Sequence, residues 1–299
     1  MRLRNVLGCA LLAVVAIGCD GSATEHSEPR GLLVQTTSGA VEGYENDGVH
    51  SYRGIPYAAP PVGALRWKPP AAVAPSGDTL SAIEAPSPCP QELFGGLAVP
   101  GFMPSEDCLY LNVDTPAEGR RLPVMVWIHG GAFTLGEGLQ TDGGTSGDRI
   151  ARQTGTVVVC MNYRLGQLGL LAHAALSEES PDGTSGNYGL MDQAAALSWV
   201  QENVEAFGGD PDNVTIFGES AGAFSVCSHL ASPKSAGLFA KAILQSGSCQ
   251  RPWAALADAE AQGDAFAADL GCESAEDVLT CMRGKSADEV LAALPPAPN

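Results

Sequence analysis

The sequence predicts an α/β fold, with a mostly parallel central sheet and helices on both faces. Three observations predict it. Val124-Met-Val-Trp-Ile128 and Thr156-Val-Val-Val-Cys-Met161 are nearly continuous apolar runs, the texture of strands covered on both faces. Strand-like and helix-like segments then alternate along the chain, as crossover helices between parallel strands require. Finally, Gly218-Glu219-Ser220-Ala221-Gly222 lies where a strand gives way to a helix.

The elements follow in order. From Leu32 to Tyr57, short runs flank the turn signal Asn46-Asp47-Gly48, which predicts short antiparallel strands. Pro56 to Pro104 is rich in Pro and Gly and reads as irregular. The two apolar runs are strands. Leu190 to Phe207 is helical, because Leu190, Ala194, Leu197, Val204 and Phe207 recur on one side. Val214-Thr-Ile-Phe217 is a strand, Ala221 to Leu230 a helix and Ala240 to Leu244 a strand. Ala255 to Leu270, Ala275 to Met282 and Ala287 to Leu294 read as helices.

Composition bounds the function. The chain has 299 residues, 45% of them hydrophobic. A folded chain of this size buries roughly 75% of its surface, which makes wholesale disorder a poor reading. With 16 basic against 34 acidic residues the formal net charge is −18. Such a chain repels phosphate backbones, so no nucleic-acid partner is expected. No segment approaches the roughly 20 apolar residues needed to span a bilayer.

Residues 1–18 read as an export signal. Arg2 and Arg4 supply its positive start, and Val6 to Ile17 is an uncharged run too short for a membrane helix. Gly18-Cys19 resembles the end of a bacterial lipobox. Cys19 is then a lipidated N-terminus, making membrane contact through a lipid anchor alone, or it is incidental to ordinary secretion. The first reading is favoured, and it places the protein in the bacterial cell envelope. Residues 19–30 read as a flexible tether and residues 31–299 as the folded part. Export makes disulfides possible for Cys89, Cys108, Cys160, Cys227, Cys249, Cys272 and Cys281. Their spacings do not resemble a zinc site, and no metal or cofactor is expected. The sequence sets no oligomeric state.

Gly218–Gly222 fits the G-x-S-x-G pattern, and its strand–turn–helix context makes it specific. A turn this tight strains the backbone at Ser220, and glycines at 218 and 222 remove side-chain clashes. The turn lifts the Ser220 hydroxyl above the sheet, at the positive end of a helix. Ser220 is thus a candidate nucleophile. His129-Gly130-Gly131-Ala132-Phe133, directly after the Val124–Ile128 strand, suits a loop whose backbone N–H groups point at a developing oxyanion. Such a loop is the usual partner of the elbow, together with the N–H of Ala221. His129 is read as orienting this loop rather than as a catalytic base.

These residues belong to a larger set. Gly54-Ile-Pro-Tyr-Ala58, Pro60-Pro-Val-Gly63, Arg66-Trp67, Ser105-Glu-Asp-Cys-Leu-Tyr-Leu-Asn112, Asn162-Tyr-Arg-Leu-Gly166, Gly186-Asn-Tyr-Gly-Leu-Met-Asp-Gln193, Phe207-Gly-Gly-Asp-Pro211, Asn213 to Gly222 and Leu244-Gln-Ser-Gly247 occur in order. Together they resemble the type-B carboxylesterases, the group that includes cholinesterases. The resemblance implies an α/β-hydrolase fold and a carboxylic ester hydrolase acting through an acyl-enzyme intermediate on a small-molecule ester. It implies Ser220 as nucleophile, the N–H groups of Gly131, Ala132 and Ala221 as the oxyanion hole with Gly130 shaping the loop, and an electrostatic role for Glu219. It further implies an Arg66–Glu106 ion pair and disulfides Cys89–Cys108 and Cys272–Cys281, although free buried thiols are the alternative for both pairs. Cys160 is expected in the core, and Cys227 and Cys249 are expected to be unpaired. Trp253 lines an acyl pocket or belongs to the core. Choline-binding relatives carry a Trp between the first two cysteines, where it stacks on the ammonium group. None occurs from Cys89 to Cys108, so a neutral, fairly apolar ester is expected.

In an elbow hydrolase the order is Ser, then acid, then His. Only His229 follows Ser220. It lies nine positions on, in the helix that starts at the elbow, and is read as unable to serve. The chain is therefore expected to be the N-terminal portion of an esterase, lacking the triad acid and His. Expressed alone it is expected to expose strand edges and to aggregate. A catalytically silent relative used for binding is the alternative.

Overall fold

The computed structural model describes residues 30–91, 103–138, 147–250 and 252–293. The export signal and Cys19 lie outside these residues. So does the tether, save Arg30, which is anchored. Its N–H donates to Ala117 O, and its guanidinium donates to the carbonyls of Phe207 and Gly119.

The strands, in chain order, are β1 (Leu33–Thr36), β2 (Gly39–Glu42), β3 (Tyr44–Asn46), β4 (Val49–Pro56), β5 (Leu80–Ser81), β6 (Tyr110–Pro116), β7 (Leu122–Ile128), β8 (Val157–Met161), β9 (Gly209–Glu219) and β10 (Lys241–Gln245). The helices are α1 (Gly147–Thr154), α2 (Gly166–Leu170), α3 (Ala174–Glu179), α4 (Tyr188–Asn203), α5 (Ala221–Ala231), α6 (Leu256–Asp269), α7 (Val278–Arg283) and α8 (Ala287–Ala292). The small sheet β1–β2–β5 sits beside a seven-stranded sheet of order β10–β9–β7–β8–β6–β4–β3. The turn at Asp47-Gly48 joins β3 to β4 as the sequence predicts.

The main sheet has two characters. β10, β9, β7 and β8 pair in parallel. β6, β4 and β3 extend the sheet through antiparallel pairings. Parallel pairing thus holds for one side only, and β6 lies outside the sequence expectations: Leu111-Asn112-Val113-Asp114 alternates apolar and polar over only four residues, and its polar members Asn112 and Asp114 are buried as well. Asp114 takes hydrogen bonds from Arg53 (2.7 Å) and Ser51 (2.6 Å), which offsets the cost of burying its charge.

Side chains of β7 and β8 alternate between two cores, as the period of two requires. Val124, Val126, Ile128, Val157, Val159 and Met161 join the larger core with α4 residues Ala196, Leu197 and Val200. Trp127, Val158 and Cys160 point to the opposite core with Ala151 of α1. Both faces are therefore covered, which is why these strands read as unbroken apolar runs. A third core, around Trp67, Leu176, Phe266 and Met282, packs α2, α3 and α6 through α8 together.

Three disulfides occur among the described residues: Cys89–Cys108, Cys227–Cys249 and Cys272–Cys281. The second corrects the expectation that Cys227 and Cys249 are unpaired. Their Cα atoms lie 5.3 Å apart, within bonding reach, because the segment after β10 runs back along α5. Cys160 is a free, buried thiol in β8, and burial raises its pKa to about 12. Among the described residues no helix is long and apolar enough to cross a membrane.

Candidate active site

The site forms where β7 and β9 end side by side. β9 runs directly into Ser220, which has φ 53° and ψ −116°, and α5 begins at the next residue. A non-glycine residue in such a conformation costs about 1–3 kcal/mol and persists only where its surroundings over-determine it. Here they do. The Ser220 N–H donates to Gln245 O (2.9 Å) and its C=O accepts from Phe224 N–H (3.1 Å). A Cβ at Gly222 would stand 2.0 Å from Ile128 O, and one at Gly218 would stand 2.5 Å from the Gly222 carbonyl. The start of α5 can approach the sheet this closely only with both glycines present.

The loop after β7 faces the elbow. Gly131, Ala132 and Phe133 all have positive φ (102°, 55° and 62°). A Cβ on Gly130 would lie 2.7 Å from Glu219 O and 3.3 Å from Ser220 Cβ, so the loop abuts the nucleophile turn. Thr134 and Leu135 N–H donate to Gly131 O (3.0 Å each), which closes the loop. Among the described residues the N–H groups of Gly131 and Ala132 make no hydrogen bond. Ala221 opens α5, so its N–H has no intrahelical partner. With Gly130 packed against the Ser220 turn, these three N–H groups are the candidates for holding a developing negative charge.

A further layer fixes the loop. The His129 ring stacks on Tyr163 at 4.2 Å, and the Tyr163 hydroxyl donates to His129 O (2.8 Å). His129 Nδ1 bonds Gly130 O (2.8 Å), and burial lowers the pKa of the ring to about 4, so it is neutral. Asn162 Oδ1 accepts from Gly138 N–H (2.7 Å). Gln91 exchanges two hydrogen bonds with Gly136 (2.7 and 2.8 Å). Arg164 is held by Asp192 of α4 through two 2.7 Å bonds. Motif residues far apart in sequence thus converge beneath one loop.

The remaining predicted residues fall as follows. His229 is buried in α5 and bonded to Gln193 Oε1 and Ser235 Oγ (2.9 Å each), and burial holds its pKa near 4. Both ring nitrogens are therefore engaged away from Ser220. Glu219 ends β9 with its carboxylate towards Gly130. Arg66 binds Glu106 through 2.7 and 2.5 Å bonds and also donates to Lys285 O (2.7 Å), so the pair bolts the α7–α8 turn onto the chain near Cys108. Trp253 is half exposed rather than core. Its ring meets Phe133 edge-on at 6.1 Å. Both line a cavity of about 480 Å³, with Leu190 and Leu256 among its apolar walls. Among the described residues no cluster of His, Cys, Asp or Glu could hold a metal ion.

Sequence reasoning missed the Cys227–Cys249 bond. Parity was the available signal. With Cys160 assigned to a buried strand, six cysteines remained beyond Cys19, an even number in a compartment that permits disulfides.

A serine elbow and a glycine-rich loop at the carboxyl ends of adjacent parallel strands define the α/β-hydrolase fold. Comparison with known proteins gives the family. The model of the carboxylesterase family matches residues 30–297, and the chain belongs to that family. It is 48% identical over 252 residues to the fumonisin B1 esterase of Sphingopyxis macrogoltabida, covering 83% of this chain and 45% of that one. It is 50% identical over 220 residues to the para-nitrobenzyl esterase of Bacillus subtilis (strain 168), covering 72% and 43%. A solved para-nitrobenzyl esterase superposes with a TM-score of 0.77 at 44% identity, over 87% of this chain and 52% of that structure. The chain spans about half the length of the curated relatives it matches.

Proposed function

We propose that this chain carries the nucleophile and oxyanion hole of a carboxylic ester hydrolase. The observation that carries the reading is Ser220 at positive φ, with Gly130 of the loop packed against it and the N–H groups of Gly131 and Ala132 in that loop unbonded among the described residues. The Ser220 hydroxyl loses its proton to a base and attacks the ester carbonyl. The carbonyl oxygen becomes an oxyanion held by the Gly131, Ala132 and Ala221 N–H groups. Collapse expels the alcohol, which takes a proton, and leaves an acyl group on Ser220. Water then releases the acid and restores the hydroxyl. Each well-placed oxyanion donor contributes about 3 kcal/mol to such a step.

Neither His129 nor His229 is assigned as the base: both nitrogens of His229 are bonded within the scaffold, and the His129 ring is buried under the loop, stacked on Tyr163 with Nδ1 on Gly130 O. The base and its carboxylate partner are assigned to chain outside the described residues. The cavity between Phe133 and Trp253 adjoins the loop after β7 through Phe133 rather than being lined by Ser220, and its mainly apolar walls favour a neutral, fairly apolar ester as substrate. Residues 1–18 and Cys19 support export with an N-terminal lipid, and three disulfides suit an oxidising compartment.

The test is hydrolysis of p-nitrophenyl butyrate by the protein read to the end of its frame, alongside a choline ester. Turnover of the apolar ester, abolished by Ser220→Ala with the fold intact, is expected. Undiminished turnover in Ser220→Ala would overturn the nucleophile assignment, and preference for the choline ester would overturn the substrate class.

A further inference from the structure

The segment after β10 follows α5 at three points of register. Gln245 O accepts the Ser220 N–H at 2.9 Å. Two residues on, Gly247 lies so close to the helix that a Cβ there would stand 2.6 Å from Ala223 Cβ and 3.3 Å from Ser220 O. Two residues further, Cys249 is bonded to Cys227. Residues 220, 223 and 227 stand at i, i+3 and i+7, one face of a helix. The segment is thus laid along the face that begins at the nucleophile and is covalently tied at its far end.

This path is strained. Ser246, the residue after the Gln245 carbonyl that accepts the Ser220 N–H, has φ 53°, as Ser220 does, so positive-φ residues stand on both sides of that hydrogen bond. Positions like these relax unless their surroundings hold them. Hydrogen bonding supplies part of the restraint. Gln245 ends a strand at the edge of the described sheet, and Ser246, Ser248 and Cys249 are exposed, so packing among the described residues supplies little. The other two disulfides do not touch this region: Cys89–Cys108 closes the connection before β6, and Cys272–Cys281 ties the end of α6 to α7.

We infer that the Cys227–Cys249 disulfide is a positioning clamp for the nucleophile turn. It fixes the 245–249 segment along α5, keeps Gln245 O on the Ser220 N–H, and so holds Ser220 in the conformation that aims its hydroxyl. The inference deepens the nucleophile reading and rests on it for its catalytic consequence.

The experiment compares three forms of the full-length protein: parent, Cys227→Ala/Cys249→Ala, and Cys272→Ala/Cys281→Ala as a control that also removes one disulfide. Two readouts are taken, exchange of the Ser220 amide hydrogen and the separate values of kcat and KM. The clamp predicts that Ser220 exchange accelerates about tenfold or more in the first variant alone. It also predicts that kcat falls about tenfold to a hundredfold with KM nearly unchanged, as misplacement of a reacting group does. Parent-like exchange at Ser220, or equal effects in the control, would overturn it. Turnover that survives Ser220→Ala would instead remove the nucleophile reading, and the exchange rate would still decide the clamp.

Discussion

On the antiparallel side of the sheet, β4 and β6 are joined by the buried Arg53–Asp114 pair, and the turn at Asp47 holds their one non-glycine residue at positive φ. On the parallel side, β7 is followed by Ala132 and Phe133, β9 by Ser220 and β10 by Ser246, all at positive φ. The two sides bury their residues comparably and differ in where the backbone is strained. Strain gathers at the carboxyl ends of the parallel strands, where a side chain must be aimed out of the sheet. It is held there by close approaches that only glycine permits. The antiparallel side has a glycine contact of its own, Gly43 against Ser51 O and the Tyr52 ring, but its positive φ at Asp47 serves only to reverse the chain between β3 and β4.

Substitutions that separate crowding from conformation test this difference. Gly222→Ala sets a methyl 2.0 Å from Ile128 O, a backbone atom that cannot turn away. It should cost about 3 kcal/mol or more. Gly48→Ala, in the β3–β4 turn, meets nothing within 4 Å and suffers only its φ of 76°. It should cost about 1–2 kcal/mol. Urea denaturation of both variants is the check, and equal losses would erase the distinction.

Arg66→Met should destabilise by about 3 kcal/mol, since it strands Glu106 beside the Cys89–Cys108 loop and frees the Lys285 carbonyl. The loss should appear as early melting of the α6–α8 core. A variant whose Tm matches the parent would refute the bolt.

Acid should act through the buried histidines, which burial keeps neutral on both sides of the sheet, His50 in β4 among them. His129 and His229 are neutral in the fold with pKa values near 4, against 6.5 in the unfolded chain. The unfolded state therefore binds more protons between pH 6.5 and 4, and stability is fully present above 6.5 and falls as pH drops through that window. A thermal-melting profile of His229→Gln should be flatter there than that of the parent. An unchanged slope would count against a buried neutral ring.

A smaller, opposite effect is expected at the elbow. Ser220→Gly removes the left-handed strain and should stabilise the fold by up to about 1 kcal/mol while abolishing turnover. A large loss of stability would show that Ser220 is not strained. Smallest of all, Ile243→Lys should change stability by under about 0.5 kcal/mol yet reduce aggregation of the 299-residue chain, because Ile243 is exposed on β10 at the edge of the described sheet. Light scattering measures it.

The chemistry-bearing half was the more legible in sequence. Ser220, Gly130 and Gly131 announce themselves because a tight turn admits few residue types, and Val124–Ile128 and Val157–Met161 because two covered faces leave no polar position. Less could be read where tertiary contact replaces local pattern. β6 is hard to read because its polar residues are buried against β4, Asp114 on the Ser51 and Arg53 side chains and Asn112 on the Gly54 N–H. Helix α1 was missed because only Gly147 and Ala151 are buried on it, too short a stripe to show a period. The Cys227–Cys249 bond depends on where the segment after β10 goes, which no local propensity specifies.

The central proposal is that Ser220 is the reacting group at the carboxyl end of β9. Its most direct test is exposure of the full-length protein to an aryl phosphonate, followed by peptide mass mapping. A single adduct on the peptide containing Ser220, absent in Ser220→Ala, is predicted. An adduct on another residue, or none from a protein that still hydrolyses esters, would contradict it.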